Sequence, residues 1–103
     1  MDTTIERALG VMLENWDRLK KSQEDDAEED ANQFEASFYA LIDEIRDWFA
    51  GLEEAPKSLD EAVRLPEMEQ ILKRLPGELV LNFETELELI VEGETREEDE
   101  RYD

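Results

Sequence analysis

The sequence predicts an α+β fold. The expected architecture is an N-terminal antiparallel helical hairpin, one or two short helices, and a C-terminal two-stranded antiparallel β-ribbon packed on the helices. Three observations carry that reading. Apolar residues recur at spacings of three and four through the first half of the chain. Pro56, Pro66 and Pro76 punctuate the middle. From Leu79 to Val91, apolar residues take nearly every second position.

Residues 4–21 read as the first helix. Ile5, Leu9, Met12, Trp16 and Leu19 form one apolar stripe. Thr4 is the expected N-cap, and Lys20 and Lys21 suit the negative end of the helix dipole. Residues 22–33 carry no large apolar side chain, and six of the seven residues in 24–30 are acidic. Such a run is expected to be a loop or a solvated helical turn. Phe34, Phe38, Leu41, Ile45, Trp48 and Leu52 then mark a second helix over 31–52, with Gly51 near its end. The two stripes are out of phase across the acidic run, which points to two helices folded back on each other. One long helix with a stutter is the alternative.

Ser58 followed three residues later by Glu61 is a capping box, and it opens a short helix through Leu65. Pro66 interrupts or restarts that helix. Met68, Ile71, Leu72 and Leu75 share one face of a second short helix, which Pro76–Gly77 is expected to stop.

Leu79, Leu81, Phe83, Thr85, Leu87, Leu89 and Val91 alternate with Val80, Asn82, Glu84, Glu86, Glu88, Ile90 and Glu92. As a strand this gives one apolar and one mostly acidic face. As a helix it scatters leucine around the cylinder, although Leu and Glu are both good helix formers. A single strand over 78–92 would run about 50 Å at ~3.3 Å per residue. It must therefore fold back or leave its subunit. Pairing centred on Thr85 keeps all the apolar residues on one face, yet Glu84–Thr85–Glu86 has none of the Gly or Asn that a tight hairpin wants. Two chains crossing about a two-fold axis at Thr85 would make the same register without a turn, at the cost of setting Glu84 opposite Glu86. The seven residues from Leu79 to Val91 are thus the candidate self-association site, within the chain or in a homodimer. Residues 1–92 are expected to form one small domain, and residues 93–103 an acidic mobile tail.

Composition restricts chemistry more than it restricts biology. The 103 residues carry 11 basic and 31 acidic side chains, a formal charge of −20, with no His and no Cys. Imidazole bases, thiol nucleophiles, disulfides and His/Cys metal sites are excluded. Nucleic acid and anionic membranes face a field of the wrong sign. No run approaches the ~20 apolar residues of a spanning helix, and Met1–Asp2–Thr3–Thr4 shows no secretory signal, so a cytoplasmic protein is expected. Asp43, Glu44 and Asp47 flank the aromatic face of the second helix and are the carboxylates to watch. The acidic run at 24–30 lacks the ligand alternation and central Gly of a calcium loop. Ser22, Ser37 and Ser58 have no partner base, and four scattered glycines make no phosphate loop. Trp16, Trp48, Phe34, Phe38 and Phe49 sit at helical spacing, as core aromatics do.

No cofactor and no enzymatic activity are expected. The function these features imply is a small acidic protein-interaction or regulatory protein, a homodimer with a partner of basic character. The alternative is an acidic inhibitor: an immunity protein, an antitoxin or a nucleic-acid mimic on the basic surface of a nuclease or DNA-binding protein. Adaptation to high salt would explain the acidity too, but nothing in the sequence demands it.

Overall fold

The computed structural model describes residues 2–100, the side chains at 24, 25 and 94–100 excepted. Five helices follow one another: α1 (Thr3–Lys21), α2 (Glu24–Ala50), α3 (Leu59–Val63), α4 (Pro66–Arg74) and α5 (Gly77–Glu100). The chain divides into two compact units, Met1–Ile45 and Arg46–Asp103, with the division inside α2.

In the first unit, α1 starts earlier than expected. Asp2, not Thr4, is the N-cap, and its Oδ1 accepts hydrogen bonds from the Thr4 and Ile5 backbone N–H groups at 2.8 and 3.2 Å. A carboxylate satisfies two orphan donors there and adds charge that the helix dipole favours. Ile5, Leu9 and Met12 are buried, while Trp16 and Leu19 further along the stripe are half-buried. The chain breaks at Ser22, whose extended backbone leaves its N–H and hydroxyl bonded to the Leu19 carbonyl at 3.2 and 2.9 Å.

Helix α2 begins at Glu24, so the acidic run belongs to the helix and not to a loop. Helix N-termini favour negative charge, so acidic residues in its opening turns support the helix. Cross-helix contacts pair Arg18 with Gln33, Trp16 with Phe34 and Asn15 with Ser37. Residues later in α1 meet residues earlier in α2, so the two helices run antiparallel. Phe38, Leu41, Ile42 and Ile45 are buried along this part of α2.

In the second unit, α2 ends at Ala50 after the buried Phe49. Ser58 caps α3 by accepting from the Glu61 N–H at 3.2 Å. The return bond of the capping box goes one residue further back, from the Lys57 N–H to Glu61 Oε2 at 2.7 Å. Leu65 and Leu75 each precede a proline, and both are extended, with ψ of 136° and 137°. The clash of a proline ring with the preceding residue disfavours the helical region there. That separates α3 from α4 and α4 from α5, and Pro66 takes the first-turn position where its missing N–H costs nothing. Helix α3 lies against both α4 and α5. Ala62, Met68, Ile71 and Leu75 are buried in this unit, with Leu79, Phe83, Leu87, Ile90 and Val91 of α5.

The β-ribbon is overturned, and the α+β class with it. Among the described residues there is no strand, and residues 77–100 form one helix. Pro76–Gly77 ends α4 but opens α5 directly, with the Leu79 N–H bonded to the Pro76 carbonyl at 2.9 Å. The physical reason lies in the alternation itself. A set of apolar residues at every second position contains a subset at every fourth, and Leu79, Phe83, Leu87 and Val91 are that subset. Val80 and Ile90, which spoil the polar face of a strand, fall beside it on the helix: Ile90 is buried and Val80 half-buried. Leu and Glu add high helix propensity, and the helix needs no turn at Thr85. The expected acidic tail over 93–103 overlaps the end of α5; the side chains at 94–100 and residues 101–103 lie outside the described residues.

Candidate interaction surface

The seven residues expected to share one face divide between two. Leu79, Phe83, Leu87 and Val91 are buried. Leu81, Thr85 and Leu89 are exposed, with Leu81 at 72% and Leu89 at 54%. The Thr85 hydroxyl donates to the Leu81 carbonyl at 2.9 Å. That four-residue back-bond is a helical geometry no strand can make. The pairing register about Thr85 has no counterpart in the structure, and a homodimer built on strand pairing goes with it.

What the helix brings together instead is a different set. At 3.6 residues per turn, Glu78, Leu81, Thr85, Glu88, Leu89 and Glu92 fall within an arc of about 100°. All six are exposed. A strand would place Leu81 and Leu89 on the buried face and the glutamates on the opposite one. The signal that separates them is the three-four spacing of Glu78, Leu81, Thr85, Glu88 and Glu92, which runs parallel to the buried stripe. No Lys or Arg occurs between Leu75 and Thr95.

The watched carboxylates on α2 do not form a buried cluster: Asp43 and Asp47 are exposed and Glu44 is half-buried. Among the described residues the buried side chains are all apolar, and no group of carboxylates is arranged to hold a metal ion. Asp17 has its carboxyl held below the usual carboxylate range, first by the hydrogen bond from Lys21 at 3.0 Å and then by the charge of that ammonium. Of the aromatic residues, Phe38 and Phe49 are buried, while Trp16, Phe34 and Trp48 are half-buried.

One polar seam was not visible in the sequence. Asn15 Nδ2 donates to Ser37 Oγ at 3.0 Å and to the Gln33 carbonyl at 3.3 Å. Arg18 Nη1 donates to Asn15 Oδ1 at 3.4 Å and to Gln33 Oε1 at 3.3 Å. Beside it, Trp16 stacks at a tilt on Phe34 with ring centroids 5.2 Å apart, and Lys20 Nζ lies 5.9 Å from the Trp16 ring. Trp16 Nε1 is buried, with no acceptor among the described residues. The seam joins residues 15–22 positions apart in the chain, and no local pattern announces such a contact.

Among the described residues, no helix is long and apolar enough to cross a membrane. No protein-family model, curated protein or solved structure matches the chain.

Proposed function

We propose that this chain is a small, non-catalytic protein-binding protein whose acidic surface receives a partner of basic character. The formal charge of −20 on 103 residues carries the reading. Opposite fields accelerate encounter and reject partners of the wrong sign. The described carboxylates support it by staying at the surface, where their field reaches a partner.

The test is affinity capture from the native cell at low and high salt, with the captured proteins identified. Captured proteins should be basic and should elute as the screening length falls below about 10 Å. A captured set no more basic than the background, or one that salt leaves in place, overturns the proposal.

One observation favours a second reading as an acidic inhibitor of a nuclease or DNA-binding protein. The acidic run is helical, so the carboxylates of Asp26, Glu28, Glu29 and Asp30 ride on a regular backbone. A ligand that imitates nucleic acid should be displaced by duplex DNA from whatever it captures. A partner that holds on in excess DNA argues for the first reading.

A further inference from the structure

We infer that the exposed face of α5, centred on Leu81 and Leu89, docks a basic amphipathic helix of a partner protein. This rests on the protein-binding reading above and gives it a place and an occupant.

The face is apolar at two points and acidic around them. Leu81 and Leu89 stand eight residues apart, about 12 Å at 1.5 Å per residue, and are 72% and 54% exposed. Glu78, Glu88 and Glu92 lie on the same arc, and the chain carries no Lys or Arg from Pro76 to Thr95. A helix carries no open backbone edge, so an extended peptide cannot add to it by strand pairing. A second helix, laying ridges into grooves, can. Leucines two turns apart on such a helix would match Leu81 and Leu89. Lys or Arg beside them would lay their aliphatic stems over the leucines and carry their charges to the glutamates.

A second copy of this chain fits poorly. Crossing two α5 helices antiparallel about Thr85 sets Leu81 against Leu89, but it also sets Glu78 against Glu92. A parallel crossing sets each glutamate against itself. Two leucines offer far less than the roughly 800 Å² per partner of a stable interface, so little apolar area opposes that repulsion. The charge therefore selects a cationic helix.

The test uses the full chain, labelled for amide NMR, and three synthetic helices. One carries leucines at helical spacing flanked by lysines. One replaces those leucines by alanine at equal charge. One keeps the leucines and replaces lysine by glutamate. The lysine–leucine helix should shift amides clustered over residues 78–92 and bind at least tenfold more tightly than the lysine–alanine helix. The glutamate–leucine helix should not bind. Leu81→Ala with Leu89→Ala should weaken lysine–leucine binding at least tenfold, while Val11→Ala, at an exposed apolar site on α1, should leave it within twofold. Leu81→Gln with Leu89→Gln serves the same purpose if the alanine pair loses helical circular dichroism.

Cationic helices that bind elsewhere, or that bind the double variant as well as the parent chain, overturn the α5 assignment and leave the basic-partner reading standing. Equal binding of the lysine–leucine and glutamate–leucine helices overturns the charge argument, and the inference with it. If neither cationic helix binds, both the inference and the reading it rests on fall. A dimer of the parent chain that Leu81→Ala with Leu89→Ala abolishes would make the occupant a second copy and overturn the cationic helix.

Discussion

Phe83→Ala and Leu81→Ala separate the observed helix from the expected ribbon in one experiment. The two residues stand two positions apart, so a strand would place both on its apolar face and lose comparable stability from each. The helix puts Phe83 at 0% exposure and Leu81 at 72%. A fully buried Phe→Ala change costs about 3–5 kcal/mol, combining lost transfer energy with the cavity left behind. Full burial of a leucine is worth ~1.5–3 kcal/mol, and Leu81 retains little more than a quarter of its surface covered. Its loss should cost less than about 0.8 kcal/mol, and the slightly better helix propensity of alanine trims that further. The assay is urea unfolding followed by circular dichroism at 222 nm, with midpoint and slope fitted together. A domain of this size holds about 5–15 kcal/mol in total, so Phe83→Ala should still show a folded baseline at a much lower midpoint. If it does not, Phe83→Leu, a milder truncation, supplies the comparison. Equal losses from Phe83→Ala and Leu81→Ala, or a larger loss from Leu81→Ala, would refute the helical phase assigned to α5.

Three further outcomes follow from the same structure. Ser58→Ala removes the acceptor for the Glu61 N–H at the start of α3 and should cost about 0.5–2 kcal/mol in the same urea assay. Raising sodium chloride from 0.01 to 1 M shortens the screening length from about 30 to about 3 Å; the melting temperature should rise, because self-repulsion within the formal charge of −20 is relieved. Asp17 should titrate below the usual carboxylate range by carboxyl NMR, and Lys21→Ala should raise it. Because its folded value is lowered, Asp17 contributes stability above the ordinary carboxylate range, and that contribution is lost as pH falls through the lowered value. An unshifted Asp17 in the parent chain would show that the Lys21 bond does not persist in solution.

How far the fold could be read ahead depended on whether local signals pointed one way. The stripes of α1 and α2 repeat at three and four and admit no strand phase, so α1 and the part of α2 from Ala31 onward are legible as helix. Pro66 and Pro76 were legible as breaks because the ring acts on its own neighbour whatever the tertiary context. The acidic run was harder. Its lack of apolar residues excluded it from the core, but charge alone does not say whether a solvated segment is coiled or helical. Its place ahead of an amphipathic stripe, where a dipole favours negative charge, decided for the helix. Thr4 stands nearer the first apolar residue, but Asp2 caps α1, and Asp ranks with the best N-cap residues.

At the C-terminus one pattern fits two periods. Side chains at every second position satisfy a strand completely, and every second one of those satisfies a helix almost as well. The residues at even positions decide between them. In a ribbon Val80 and Ile90 are misplaced on the acidic face, whereas in a helix both fall beside the buried stripe, Ile90 buried and Val80 half-buried. The same shift of period creates the candidate site. Once Phe83 and Leu87 turn inward, Leu81 and Leu89 must turn outward, because residues two apart on a helix lie about 160° away from each other around its axis. The alternation that looked like one oily face is therefore two opposed ones. The outward face keeps its leucines among glutamates, where a partner's cationic helix could cover them.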